Sequence, residues 1–184
     1  TYTSVFHLLE ERWPHFGAML ERLGSRQIRN RGTVGGNIGN ASPIGDMPPT
    51  LIALGAEVDL DSADGMRRIA LQDFFHDYKK TDLKPNEFIR GVRIPAPQPD
   101  ESLLIYKISK RTDDDISAVL AAFWLKRNGE LVTDCRLAFG GMAAIPKRAT
   151  GAEAELRGQP WNESSVANAI AALEREFKPM TDVR

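Results

Sequence analysis

The chain has 184 residues, of which 42% are hydrophobic and 27% charged, and its formal net charge is −1. That length supports one large domain or two small ones, and the near-neutral charge excludes a global field that favours nucleic acid or an anionic membrane. A single cysteine excludes an internal disulfide, no apolar run reaches transmembrane length and the N-terminus lacks a signal-peptide pattern, so the sequence predicts a cytoplasmic protein.

The first half of the chain is predicted to combine short helices with strands. Apolar residues at helical spacing predict a helix over residues 4–23 that restarts at Pro14. Further along, Pro48 and Pro49 are typical of a helix start. The elements predicted after them are helix Thr50–Leu54, which ends at Gly55, strand Glu57–Leu60, a turn over 62–65, strand Met66–Leu71 and strand Glu87–Ile94.

The second half begins after a proline-rich stretch. Pro95, Pro97 and Pro99 predict a linker near residues 95–101. The elements predicted after it are strands over 102–111, 116–126 and 130–139, with a hairpin turn at Asn128-Gly129, and helices Ala149–Leu156 and Ser164–Phe177. Together these elements predict an α+β fold whose second half is an antiparallel three-stranded sheet packed with helices.

Residues 32–46 hold five of the fifteen glycines. Glycine this dense weakens helix and strand, but its backbone reaches positive φ and lets other groups approach closely. A turn at Gly35-Gly36-Asn37 is therefore predicted to aim successive N–H groups at one anion, as in a phosphate-binding nest. Thr33 and Asn37 add side-chain donors, and Asp46 can accept from a ribose hydroxyl or a base amine. A purely structural turn is the alternative, and the spacing fits neither a Walker A loop nor a Rossmann fingerprint.

Acid–base machinery is sparse in this sequence. The histidines at positions 7, 15 and 76 are interpreted as structural, Cys135 as a small core residue of a strand, and Asp113-Asp114-Asp115 as a solvated turn. No residue is predicted to be catalytic or to bind a metal. If the chain is part of an enzyme, a bound cofactor performs the chemistry and the protein supplies position and electrostatics.

Three segments resemble the flavoprotein family of the molybdenum hydroxylases. The segment 33–46 resembles the family's second FAD-binding motif. Segments Tyr106–Val119 and Phe139–Ala149 narrow the resemblance to the iron–sulfur and flavin subunit of bacterial xanthine dehydrogenases. The resemblance runs through nearly the whole chain.

The resemblance implies a set of FAD contacts. Backbone N–H groups of the glycine segment would bind the pyrophosphate and ribityl region, Asp46 a ribose or neighbouring hydroxyl, Ile89 the ring system, and Lys107 would lie near the flavin. The implied FAD-binding residues are Thr33, Val34, Gly35, Gly36, Asn37, Asp46, Ile89 and Lys107. Leu23 departs from the aromatic residue that the family usually has near the cofactor, and the acidic run resembles a loop that adjusts the field at the flavin and access for NAD.

The resemblance also implies a division into parts. Residues 1–98 would form the second lobe of an FAD-binding domain whose first lobe is missing here, and 99–184 a C-terminal flavoprotein domain cut short near Met180–Arg184. The first FAD lobe and [2Fe–2S] domains would precede the chain in the same subunit, so the chain is expected to be a piece of a longer protein.

The implied function is electron transfer in a larger oxidoreductase. FAD in this domain would receive electrons from [2Fe–2S] clusters and reduce NAD, while a molybdenum cofactor in a large partner subunit oxidises hypoxanthine or xanthine. A higher oligomer is expected, with no nucleic acid and no membrane as partner. The alternatives are a sister flavoprotein of the carbon monoxide dehydrogenase or hydroxybenzoyl-CoA reductase type, and a non-catalytic subunit-contact domain.

Overall fold

The computed structural model describes residues 1–179, and the expectation about Met180–Arg184 lies outside that range. The helices are α1 (Tyr2–Arg12), α2 (Pro14–Glu21), α3 (Arg26–Arg31), α4 (Val34–Gly39), α5 (Met47–Ala53), α6 (Thr150–Leu156) and α7 (Glu163–Glu176). The strands are β1 (Glu57–Ser62), β2 (Gly65–Ala70), β3 (Phe75–Asp77), β4 (Lys80–Thr81), β5 (Phe88–Arg93), β6 (Glu101–Ile108), β7 (Val119–Asn128), β8 (Leu131–Gly140) and β9 (Lys147–Arg148). This content confirms the predicted α+β class.

The first sheet is antiparallel and has the order β2-β1-β5. Its central strand β1 buries Val58 and Leu60 completely, because alternate residues of a strand face the same side. The hairpin between β1 and β2 turns at Gly65, whose φ of 124° only glycine adopts without strain. A register shift beside Leu60 lets β5 place Ile89 opposite it.

The second sheet is antiparallel and has the order β6-β7-β8-β9, so the prediction of three strands is wrong by one. The added strand β9 has two residues, which is too short for alternation to reveal. One face of the sheet packs against α6 and α7, where Cys135 and Leu137 are buried. The other face, with Leu120 and Trp124, joins the core built by the first half of the chain.

The connection between β6 and β7 is longer than the sequence predicted. Strand β6 ends at Ile108 and β7 begins at Val119, so the intervening residues form a loop. Asp115 stabilises that loop, because its carboxylate accepts from the backbone N–H groups of Arg111 and Ile116. The same backbone bonds, with Arg111 first, hold the pKa of Asp115 below its usual value. Within residues 1–179, no helix is both long and apolar enough to cross a bilayer.

Candidate functional site

The glycine segment forms a short helix, so the predicted nest-like turn is wrong. Residues Val34–Gly39 make up α4, and Gly35 and Gly36 have helical backbones. Thr33 caps the helix, its Oγ1 accepting from the Gly36 N–H at 2.8 Å. A helix start directs N–H groups without intrahelical partners at one place, and here Val34 and Gly35 keep such groups. The Gly36 and Asn37 N–H groups both bind Thr33, so only part of the expected donor set remains.

Close approach, rather than positive φ, explains Gly45 in this segment, whereas Gly35 and Gly39 face Ile89 with room for a Cβ. A Cβ on Gly35 would lie 3.4 Å from Cγ2 of Ile89, and one on Gly39 would lie 3.5 Å from its Cδ1, which are ordinary contacts. A Cβ on Gly45 would lie only 3.0 Å from Oδ1 of Asn37, which is tighter than most contacts in proteins. The small residues thus bring α4 against β5 and against the loop before α5.

A surface cavity of about 490 Å³ lies between α1, α4, α5 and β5. Four of the predicted site residues line it: Thr33, Val34, Gly35 and Ile89. The rest of the wall is largely apolar, with contributions from α1, α5 and β5: Val5, Leu8, Leu9, Met47, Leu51, Val92 and Ile94. This volume is in the range of small-molecule pockets, and the lining combines the polar side chains of Thr1, Thr33 and Arg90 with apolar ones.

Asp46 and Lys107 form a second group beside this wall. Lys107 Nζ donates to Asp46 Oδ2 at 2.6 Å, and the Ser117 hydroxyl donates to the other carboxylate oxygen. The side chains of Lys107 and Asp46 are only 3% and 7% exposed. Asp46 immediately precedes Met47, which lines the cavity, so the ion pair lies next to the cavity wall rather than in it.

Asn37 connects the two groups. It lies on α4, and its Oδ1 occupies the space 3.0 Å from where a Cβ of Gly45, the neighbour of Asp46, would lie. Its Oδ1 is buried and accepts no hydrogen bond from the described residues, which leaves an acceptor for a further donor. Tyr2 lies close by: burial raises the pKa of its hydroxyl, the Asn37 amide opposes that rise and the Asp46 charge adds to it.

The three segments that carry the family resemblance meet at the loop 42–46. Gly141 donates its N–H to the Pro43 carbonyl at 2.7 Å. Lys107 and Ser117, from the second segment, both bind Asp46. Gly141 has a φ of 84°, and a Cβ there would lie 2.1 Å from the Ala118 carbonyl oxygen, so only glycine fits at this junction. Distant parts of the chain are therefore assembled around one loop.

Two residues of this region were missed by sequence reasoning. Ser117 lies in a loop where the sequence predicts a strand, and its sequence signals are its place two residues after the acidic run and inside the resembling segment Tyr106–Val119. Arg22 binds the backbone of Lys107 and Thr112, yet it reads as a surface residue at a helix end. The acidic residues Asp113 and Asp114 are exposed, as expected for a solvated turn.

Three other residues singled out in the sequence are buried in the core or bind the backbone. Cys135 is fully buried, and burial raises the pKa of its thiol to about 11. Leu23 is buried at the end of the turn after α2. His15 Nδ1 accepts from the Ile105 N–H at 3.5 Å. Among residues 1–179, no three His, Cys, Asp or Glu side chains are grouped as a metal site would require.

Two family models match the chain. The FAD-binding domain in molybdopterin dehydrogenase matches residues 1–97, and the CO dehydrogenase flavoprotein C-terminal domain matches residues 105–184. Helix-start donors, an apolar wall and an unpaired buried amide oxygen fit a dinucleotide with an aromatic ring system, so the residues present suit FAD.

Among curated relatives, xanthine dehydrogenase of Emericella nidulans is 38% identical over 161 residues, covering 86% of this chain and 12% of that protein. The glyceraldehyde dehydrogenase medium chain of Sulfolobus acidocaldarius is 33% identical over 162 residues, covering 88% of this chain and 57% of that one. The chain thus spans from about an eighth to somewhat over half of these relatives.

Solved structures give the same fold. Carbon monoxide dehydrogenase from Hydrogenophaga pseudoflava, in a form that lacks the Mo-pyranopterin moiety of the molybdenum cofactor, superposes with a TM-score of 0.92 at 27% identity, covering 98% of this chain and 63% of that one. Quinoline 2-oxidoreductase from Pseudomonas putida 86 has a TM-score of 0.86 at 26% identity, covering 100% and 64%. The resemblance found in the sequence is confirmed, and the chain belongs to the FAD-binding flavoprotein family of the molybdopterin dehydrogenases.

Proposed function

We propose that the chain is the FAD-holding part of a xanthine dehydrogenase-type oxidoreductase. In that enzyme, [2Fe–2S] clusters would deliver electrons from a molybdenum centre that oxidises hypoxanthine or xanthine, and NAD would be the acceptor. FAD supplies the redox chemistry when bound. Identity of 38% to a xanthine dehydrogenase and the match to the FAD-binding domain support this proposal.

The chain's own residues would bind and orient the cofactor. At the start of α4, Val34 and Gly35 would donate their backbone N–H groups to the pyrophosphate, beside the side chains of Thr33 and Asn37, and Ile89 would pack against the ring system from the cavity wall. Asp46 would accept from a ribose or neighbouring hydroxyl with a lone pair that Ser117 and Lys107 leave available. Lys107 would bring a positive charge towards the flavin, moderated by its pairing with Asp46.

The observation that carries the proposal is the convergence at the loop 42–46. Glycine helix, ion pair and the Gly141 junction meet at this loop, although they come from segments far apart in sequence. A structural turn alone would not require a buried charge pair and an unpaired amide oxygen at the same place, because both are costly to bury.

A sister molybdenum hydroxylase is the second candidate. The structural match to carbon monoxide dehydrogenase and the identity to a glyceraldehyde dehydrogenase medium chain favour it. The identity of the substrate that reduces the flavin in the complete enzyme distinguishes the two candidates. A role in subunit contact alone predicts a parent protein without flavin.

We also propose how this chain fits into a longer subunit and a larger complex. Residues 1–98 would be the second FAD lobe and 99–184 the C-terminal domain of a longer subunit. The first lobe and iron–sulfur domains would lie in the same subunit, a molybdenum-binding large subunit would be the partner in a higher oligomer, and the complex would be cytoplasmic. Size measurement of the native complex, with identification of its chains, tests this arrangement.

The first test uses the natively purified parent protein with every chain that copurifies. We expect flavin absorption, FAD among the nucleotides released on denaturation, and iron–sulfur absorption in the complex. Bleaching of the flavin by xanthine, followed by its recovery on adding NAD, would support the xanthine dehydrogenase assignment. Intact parent subunit without flavin would overturn the proposal, and bleaching by another substrate alone would favour the sister enzyme.

The second test changes Asp46 in the full subunit. We expect Asp46→Ala to lower the FAD content per subunit, because the variant loses a hydroxyl acceptor and the partner of Lys107. Asp46→Asn keeps the side-chain shape and shows whether loss of charge alone releases FAD. The matched control is Asp77→Asn on β3, which removes an exposed carboxylate paired with Lys80. Unchanged FAD content in both Asp46 variants would count against Asp46 as a cofactor residue.

A further inference from the structure

Arg22 joins α2 to the segment that follows Lys107. Its Nη1 donates to the Lys107 carbonyl at 2.9 Å, its Nη2 to the Ser109 hydroxyl at 3.2 Å and its Nε to the Thr112 carbonyl at 3.0 Å. One guanidinium thus binds both the end of β6 and the loop beyond it. These bonds connect residues that lie about ninety positions apart in the chain.

The site of attachment is the open edge of a sheet. Strand β6 is the outer strand of the order β6-β7-β8-β9, so its outward N–H and C=O groups have no neighbouring strand. Two side chains of the α2 region bind that edge: His15 accepts from the Ile105 N–H, and Arg22 donates to the Lys107 carbonyl. Ile105 and Lys107 are alternate residues, as expected for groups that point to the same edge.

We propose that Arg22 is a positioning residue for the candidate FAD site. By binding the Lys107 and Thr112 carbonyls and the Ser109 hydroxyl, it fixes the strand end from which the Lys107 side chain reaches Asp46. The expected effect on the flavin rests on the proposed function. The attachment of residues 107–112 to Arg22 can be measured without any flavin.

The chemistry of arginine suits this task. Its planar guanidinium presents several donors in a fixed fork and stays charged, so it can bind three acceptors at once. A lysine in its place has a single ammonium on a flexible stem and cannot reproduce that fork. Arg22→Lys therefore separates the effect of the positive charge from the effect of the geometry.

The first measurement is limited trypsin digestion of the complete complex, with cleavage after Lys110 and Arg111 quantified by mass spectrometry. Arg22→Gln removes the guanidinium that makes the three hydrogen bonds, so we expect these cleavages to accelerate about tenfold or more as the open population rises. Arg22→Lys should accelerate them as well. Cleavage rates equal to wild type in both variants would overturn the proposal.

The second measurement is the midpoint potential of the flavin in the same preparations, at matched FAD content. We expect a lower potential in Arg22→Gln and Arg22→Lys, because a loosened Lys107 stabilises the more negatively charged reduced flavin less well. A potential lowered only in Arg22→Gln would show that the charge of Arg22 acts by itself and would overturn its positioning role.

The matched control is Arg136→Gln. Arg136 also links the two halves of the chain through a backbone carbonyl, with its Nε 2.7 Å from the Ala53 oxygen, but it does not touch the 107–112 segment. We expect it to lower thermal stability without changing either readout, and a change equal to that in the Arg22 variants would overturn the specific role of Arg22. A complex without FAD would overturn the proposed function instead, while the digestion would still report on Arg22.

Discussion

At the scale of single residues, the pairing of Asp46 with Lys107 is the least ordinary feature of the molecule. Ions lose hydration on burial, and their mutual attraction offsets that cost only when the geometry is good and the remaining polar atoms are satisfied. Here Ser117 satisfies the second carboxylate oxygen and Lys107 approaches the first at 2.6 Å. In the intact pair, the attraction between the two charges therefore offsets the cost of burying them. Loss of one member is expected to lower the free energy of unfolding far more than loss of both.

A double-mutant cycle tests this balance. Lys107→Met alone leaves the Asp46 carboxylate buried without its cation, so we expect the free energy of unfolding to fall by about 3–5 kcal/mol. Adding Asp46→Asn should recover part of that loss, because no uncompensated charge remains. Urea unfolding measures the single variants Lys107→Met and Asp46→Asn and the double variant.

The control for this cycle is Lys80→Met, which breaks an exposed pair with Asp77. Since surface pairs contribute about 0–1 kcal/mol, little change is expected there. Additive effects of the two substitutions, with no recovery in the double variant, would contradict the interpretation of a buried, mutually compensated pair.

At the scale of elements, the sequence predicted the long periodic segments well. The strands β1, β5, β7 and β8 and the helices α6 and α7 lie close to their predicted positions, because alternation and helical spacing persist over many residues. The short elements α3, β3, β4 and β9 have two to six residues and show no period to detect. Periodicity within single segments therefore predicts the class of the fold, but it does not predict every strand or the order of the strands in the sheets.

The candidate site was predictable only in part, and for a physical reason. Thr33, Gly35 and Ile89, which the resemblance implied as FAD contacts, line one cavity, and their contact with FAD stays a prediction. The helical form of the glycine segment was missed, because propensity argues against glycine in helices while the Thr33 cap and packing against β5 favour α4 here. Arg22 and Ser117 act through contacts between distant segments, which no local pattern encodes.

Ion pairs connect the loop before β5 to strand β2. Arg67, on β2, donates to the Glu87 carboxylate at 2.6 Å and also binds Asp82. The Arg67 guanidinium is the main reason that the pKa of Glu87 falls from 4.5 to about 2, with the Lys84 N–H adding to the effect. Asp82 has its pKa lowered for the same first reason.

This network predicts a specific dependence of stability on pH. Because the pKa of Glu87 is lower in the folded chain, the unfolded chain binds more protons between pH 4.5 and 2, and the stabilisation present above 4.5 is lost as the pH falls to about 2. Glu87→Gln should therefore lower stability at pH 7 and flatten the decline over that window. Thermal unfolding across the pH range measures this, with the exposed Glu155→Gln as control, and a decline as steep as in wild type would contradict it.

At the scale of the whole molecule, the two halves of the chain share one core. The face of the second sheet that carries Leu103, Leu120 and Trp124 packs into the same cluster as α2, α5 and β1. Polar contacts cross the same boundary, including the Arg136 bond to the Ala53 carbonyl and the Gly141 bond to the Pro43 carbonyl. Separate family models match each half, yet neither half buries its apolar surface by itself.

The chain is therefore expected to unfold as one cooperative unit. Calorimetry of residues 1–179 should show a single transition, because separation of the halves would expose the apolar face of the sheet at about 25 cal/mol per Å². The piece 1–98 alone should lack a cooperative transition, since residues such as Leu20 and Leu51 lose the strands that cover them. Two separate transitions, or a folded 1–98 piece with a cooperative melt, would show that the proposed boundary near residue 98 also divides the protein energetically.

The shared core also matters for the candidate FAD site. Lys107 lies on the second sheet and Asp46 lies in the first half of the chain, so their ion pair keeps one geometry only if the sheet cannot move independently of the glycine helix.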